Sequence, residues 1–192
     1  MVEPGTAVQD EELQYVTLCL GAEIFAVPVS QVREILDYRA PFRVPEGPGW
    51  LDGLIDVRGQ AIPVIDLRTR LGLPRAEVSA TTRIMVVDVP VDGTVSLSLG
   101  LVADRVLEVA TFLHSLIGPV PQVGGTWRLS YIDGIVRRDT GFVLLFNIHK
   151  LMTSQDVAAL TPALKCGGGV LTGAQAQDFP AGIPPQQTLE GH

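Results

Sequence analysis

The residue types that carry most enzyme chemistry are few in this chain and badly spaced for it. Its three histidines, His114, His149 and His192, are scattered, and none has beside it a Ser, Cys or Asp/Glu motif of the kind that pairs a nucleophile with a base. They read as surface or helix-end residues. Cys19 and Cys166 lie far apart, no Cys/His cluster has zinc spacing, and no metal site is expected. The "CGGG" at Cys166–Gly169 lacks the Gly-Lys-Ser/Thr ending of a phosphate loop and reads as linker. Carboxylate pairs such as Asp52 with Asp56, or Asp88 with Asp92, have the chemistry for acid and base work, but their turn-like settings favour solvated positions. A catalytic site can still be assembled from distant residues, so an enzymatic or ligand-binding reading is kept, with a deep pocket of converging titratable groups as its criterion.

Composition bounds the rest. The 192 residues carry a net charge of −7, which argues against a nucleic-acid partner because phosphate binding needs clustered Lys and Arg. Hydrophobic residues reach 46%, enough for a packed core. The longest apolar runs, such as "FVLLF" at Phe142–Phe146, fall well short of the roughly 18 residues a membrane helix needs. The acidic N-terminus has no apolar stretch of a secretory signal, and two cysteines make no disulfide framework, so a cytoplasmic protein is expected.

The elements that would position any site are short and strand-like. "LQYVTLCL" and "EIFAVP" flank Gly21 as a hairpin. "VSQVREIL" places Val29, Val32 and Leu36 at three- and four-residue spacing, which predicts one or two turns of helix with an apolar stripe completed by Ile35. That stripe is read as core, with an exposed partner patch as the other possibility. "GLIDV" and "AIPVIDL" flank a tight turn at Arg58–Gly59–Gln60, and Pro63 predicts an edge strand or a bulge. "LRTRLGL" reads as a short helix ended by Gly72, and "NIHKLM" and "SQDVAAL" as later helical pieces.

The chain also repeats itself. "FAVPVSQVREI" (Phe25–Ile35) aligns without gaps on "LGLVADRVLEV" (Leu99–Val109), pairing Glu34 with Glu108. "GLIDVRGQAIPVIDLRTRL" (Gly53–Leu71) aligns on "GIVRRDTGFVLLFNIHKLM" (Gly134–Met152), pairing Asp66 with Asn147. Two alignments in the same order imply a duplicated unit of about five short strands. Strands so short protect their edges by curling closed, which predicts two small β-barrels joined near residues 73–82. Residues 1–12 and the Gly/Pro-rich 161–192 read as flexible ends around a body at 13–160.

"FAVPVSQVREIL" followed by "GLIDVRGQAIPVIDLRTRLG" resembles the CheW family of bacterial chemotaxis coupling proteins, with the weaker second-half pattern in "LGLVADRVLEV" and "GFVLLFNIHKLM". The resemblance implies a mainly β fold of two SH3-like five-stranded barrels with a few short helices. It implies a non-catalytic adaptor, without cofactor, linking the cytoplasmic tip of chemoreceptors to the regulatory domain of a CheA-type histidine kinase in a chemosensory array. Carried over by position, the receptor-facing residues would be Val29, Val32 and Glu34 on the expected helix and Arg58 at the hairpin. Gly53, Leu54, Gly59 and Ile62 would shape an edge offered to the kinase. Asp56 departs from the family, which commonly has Asn there, and adds negative charge near the expected receptor site. A related adaptor serving surface sensing or second-messenger control is the alternative within the fold.

Overall fold

The computed structural model describes residues 10–90, 96–120, 131–139, 141–152, 155–156 and 160. Eleven strands are seen among them: β1 (Glu12–Leu20), β2 (Glu23–Pro28), β3 (Val32–Asp37), β4 (Leu51–Val57), β5 (Gln60–Asp66), β6 (Arg83–Pro90), β7 (Ser96–Ala103), β8 (Arg105–Leu113), β9 (Ile117–Gly118), β10 (Ile132–Arg138) and β11 (Gly141–Phe146). Two single-turn helices, α1 (Leu67–Arg70) and α2 (Ile148–Leu151), follow β5 and β11. Both start on a side-chain cap, with Asp66 accepting from the N–H groups of Arg68 and Thr69, and Asn147 from that of Lys150. The aligned Asp66/Asn147 pair is thus one capping position used twice. Gly72, at φ 76°, follows α1 as expected.

The strands form two sheets, β8-β1-β2-β11-β10-β9 and β3-β6-β7-β5-β4, which are the two barrel subdomains. Matching β1–β5 of the first repeat with β6, β7, β8, β10 and β11 of the second gives the same strand order in both sheets. The last three strands of each repeat are exchanged, however: β3, β4 and β5 join the β6–β7 hairpin, β3 pairing with β6 and β5 with β7, and β8, β10 and β11 join the β1–β2 hairpin, β8 pairing with β1 and β11 with β2. Neither repeat therefore builds a sheet alone. The crossings lie at a 3-10 turn over Val29–Gln31 and at Asp104, whereas residues 73–82 join α1 to β6 within one sheet. The boundary expected at 73–82 is displaced accordingly, because local turn signals do not reveal a strand exchange. Of the ends expected to be flexible, residues 1–12 and 161–192, residues 1–9 and 161–192 lie outside the described residues, while Glu12 already begins β1 and Asp10 accepts from the Ser115 N–H.

Two further expectations change. "VSQVREIL" is not a helix but the 3-10 turn followed by β3. Its Val and Ile residues are β-branched and suit a pleated surface, and pairing with β6 supplies the ladder, with Leu36 opposite Ile84. Burial alternates along β3, with Val32, Glu34 and Leu36 on the inner side and Arg33, Ile35 and Asp37 on the outer, and the helical spacing arises only because Val29 belongs to the preceding turn and Ile35 to the outer face. Ile35 consequently points outward at 42% exposure and is not core. The strand holding Pro63 is internal, between β4 and β7. Pro63 precedes the first residue paired with β7, Val64, so its missing N–H falls where that ladder has not begun.

Each sheet closes on itself by the same device. The chain leaving edge strand β3 bridges at Phe42 to Leu54 on the opposite edge strand, and the chain leaving β8 does so as β9, which pairs with Ile135 and Val136. A close crossing needs a residue without a side chain beneath it. A Cβ on Gly53 would lie 2.2 Å from the Phe42 carbonyl oxygen, and one on Gly134 would lie 2.5 Å from Ile117 Cγ2. Gly53 also holds φ 143°, which L side chains rarely adopt.

Burial divides into three parts. Ala110, Phe112, Val136, Val143 and Leu145 sit inside one barrel; Ile55, Val57, Ile62, Val64 and Ile84 sit inside the other. The largest cluster lies between them, built from both sheets by Leu18, Val27, Leu67, Val87, Leu101 and Ile148 among others. Two barrels so joined are held as one body by the hydrophobic effect. No helix among the described residues is long and apolar enough to cross a membrane.

A candidate partner-binding face at the first crossover

The hairpin tip between β4 and β5 is a two-residue turn in which Arg58 and Gly59 both have positive φ, 55° and 83°. That is the primed turn whose twist suits a hairpin. Gly59 takes the conformation freely; Arg58 takes it at a cost of order 1 kcal/mol. Asp56 steadies the turn, its Oδ1 accepting from the Gly59 N–H at 3.0 Å. The negative charge that Asp56 brings near the expected receptor site therefore first serves the turn, and the amide of an Asn has the same acceptor. Arg39 donates to the Asp56 carbonyl from the segment after β3.

Closure of the sheet brings this tip to the strand at its far edge. Arg58 Nη2 lies 3.3 Å from Glu34 Oε2 on β3, uniting two residues 24 apart in sequence. The pair is lopsided: the Glu34 side chain is 18% exposed and that of Arg58 77%. Next to it Arg33 Nη1 donates to Gln60 Oε1 at 3.2 Å and to Ser98 Oγ at 3.4 Å, and Ser98 Oγ donates to Asp88 Oδ1 at 2.6 Å. Val29, in the crossing turn, and Val32, at the start of β3, are half-buried against the core between the barrels. The face thus combines apolar area with a guanidinium held by a shielded carboxylate. An exposed ion pair contributes about 0–1 kcal/mol to stability, so such an arrangement costs the fold little and leaves Arg58 open to a partner.

The other four residues separate by depth. Ile62 is buried inside the barrel and Gly53 beneath Phe42, so each can affect a partner only through shape. Leu54 is half-buried under the Phe42 bridge, while Gly59 is exposed, with open space where a Cβ would stand. Phe42 itself is 75% exposed beside Leu54 and went unnoticed in the sequence, where an aromatic between Pro41 and Pro45 was its signal. The tie of Arg33 to Gln60 had no sequence signal.

The chemistry weighed for catalysis falls elsewhere. A cleft of about 100 Å³ is lined by Tyr38, Asp52, Asp66, Arg68, Arg75 and Asp104, against roughly 300–1,000 Å³ for small-molecule sites. Arg75 pairs with Asp52 at 3.0 Å and Asp66 at 3.4 Å, so these carboxylates are engaged with arginine. Asp104 takes a two-pronged bond from Arg68, at 2.8 and 2.5 Å, and a third from the Gly21 N–H. The Arg68 hydrogen bond holds the Asp104 carboxyl below the usual range, and its partner guanidinium is raised for the same reason. Burial, then the charge of Asp52, pushes the Tyr38 hydroxyl up. His114 and His149 are exposed, Cys19 is buried, and Asp92, Cys166 and His192 lie outside the described residues.

The fold defines a class: paired, interlocked β-barrels joined by chain crossings, with a candidate face where the chain first passes from one to the other. Residues 14–156 match the family model described as CheW-like domain, and the chain belongs to that family of scaffold proteins. It is 30% identical over 159 residues to the chemotaxis protein CheW of Treponema pallidum, covering 80% of this chain and 90% of that protein. The crystal structure of the scaffolding protein TtCheW from Thermoanaerobacter tengcongensis superposes with a TM-score of 0.67 at 27% identity, covering 76% of this chain and 96% of that one. Protein PilI of Pseudomonas aeruginosa is also similar, 24% identical over 155 residues, covering 79% of this chain and 83% of PilI.

Proposed function

We propose that this chain is a non-catalytic cytoplasmic adaptor that couples the tip of a chemoreceptor to a CheA-type histidine kinase. The observation that carries the reading is the Arg58–Glu34 pair beside half-buried Val29 and Val32. A receptor helix laid along this face gains area from the valines and register from the charges. Desolvation on docking makes Arg58 matter more than its surface exposure in the free protein suggests.

The kinase would meet the closing edge of the same barrel, where Gly53 and Ile62 set the shape under Phe42, Leu54 and Gly59. The two faces would adjoin at the hairpin tip, where Arg58 and Gly59 are neighbours, and one molecule would hold both partners there within a membrane-associated receptor array. Similarity to PilI as well as to chemotaxis CheW proteins supports a second reading, a scaffold in a chemosensory pathway whose output is surface sensing or second-messenger control.

The test is a pull-down with a soluble chemoreceptor cytoplasmic-tip coiled coil. Arg58→Glu sets two glutamates side by side and should weaken capture at least tenfold with the melting midpoint nearly unchanged. Unaltered capture removes Arg58 from the receptor face.

A further inference from the structure

The two crossings between barrels are equivalent in the repeat and differ in how their polar groups are satisfied. At the second, Asp104 is saturated: its carboxylate takes bonds from Arg68 and Gly21, its N–H donates to the Cys19 carbonyl at 3.2 Å, and its carbonyl accepts from Thr81 Oγ1 at 3.1 Å. At the first, Gln31 closes the 3-10 turn with its side-chain oxygen, Oε1, sealed from solvent and without a hydrogen-bond partner. It is the one side-chain polar atom in that state among the described residues.

A sealed, unbonded acceptor raises the free energy of the state that contains it, and folded proteins nearly always avoid one. Gln31 lies between Val29 and Val32, in the face assigned above to the partner. Its residue as a whole is half-buried, so a change of side-chain torsion is a short path from the sealed position to the surface. We propose that Gln31 is a specificity-determining contact of this face, whose amide oxygen finds its hydrogen bond only in the complex, from an N–H or O–H donor on the docked receptor segment. The inference rests on the adaptor reading and adds to it the chemistry the partner must present: apolar side chains flanking a polar donor opposite the crossing turn. A segment with an apolar or acidic residue there leaves the acceptor unmet and is discriminated against.

The experiment compares Gln31→Met, which keeps length and removes the acceptor, with wild type and with Arg58→Glu. Binding to a soluble receptor-tip coiled coil is measured by titration calorimetry, and the thermal midpoint is measured for each protein. Gln31→Met should raise the midpoint by roughly 2–4 °C and weaken binding roughly tenfold. Gln31→Leu serves as second variant should the methionine protein fold poorly. A raised midpoint with binding unchanged, while Arg58→Glu still loses binding, overturns the role of Gln31 and spares the adaptor reading. A midpoint that does not rise overturns it as well, by showing that the acceptor costs the free protein nothing. Binding indifferent to both substitutions removes the receptor reading and this contact with it.

Discussion

The hairpin tips of the two repeats are built alike and put their charges to different uses. In both, an arginine at the tip pairs with a glutamate on the exchanged third strand: Arg58 with Glu34 at 3.3 Å, Arg138 with Glu108 at 3.1 Å. In the first tip the glutamate is shielded and the arginine projects from the turn. In the second the exposures reverse, with Glu108 at 61% and Arg138 at 37%. Arg138 is the last residue of β10 and its guanidinium lies 5.3 Å from the centre of the Phe112 ring, so its cation stays on its own barrel. One repeat therefore spends the motif on packing and the other offers it outward. Moving the arginine by a single position, from strand end to turn, separates the two outcomes.

The sharpest way to break the likeness is at the closing glycines. Gly53→Ala drives a Cβ into a backbone oxygen at a forbidden φ and should cost about 3 kcal/mol in chemical denaturation. Gly134→Ala meets Ile117 Cγ2 at 2.5 Å and the Gly118 carbonyl oxygen at 3.3 Å but no positive φ, and should cost about 2 kcal/mol, less than Gly53→Ala. Equal losses would show that the two closures are mechanically the same. Binding comes next: Arg58→Glu should reduce receptor capture at least tenfold and Arg138→Glu less than twofold, and equal reductions would abolish the distinction between the tips.

The crossings differ in their response to acid. Asp104 has a folded-state pKa below its unfolded value, so its contribution to stability is present above about pH 4 and is lost as pH falls through the folded value. Asp104→Asn should remove that part of the acid dependence, read as a flatter plot of melting midpoint against pH between about pH 5 and 2. An unchanged slope would mean that Arg68 does not stabilise the charged form. The smallest effect is expected for a double-mutant cycle on Glu34 and Arg58, with a coupling under about 1 kcal/mol in the free protein. A larger value would mean that the exposed pair supports the fold as well as the face.

Much of the architecture was legible because its signals are local. Alternation and Gly-bounded turns marked the strands, Gly72 marked the end of the first short helix, and the internal alignment exposed the duplication. The helix expected over Val29–Leu36 failed because its apolar spacing combines a valine of the crossing turn with both faces of a strand. The displaced boundary failed because exchange of β3 and β8 depends on which hairpin each strand pairs with, a choice no residue announces.

The sequence by itself determined the repeat, the strand content and the family pattern, and through them the eight residues of interest, since each depends on neighbours along the chain. Only the tertiary structure decided which of the eight reach the surface. It joined Glu34 to Arg58, buried Ile62 and Gly53, and left Gln31 short of a hydrogen bond at the crossing. The reason is physical: burial and pairing are properties of surfaces brought together by sheet closure and strand exchange, between residues whose separation along the chain says nothing about their distance in space.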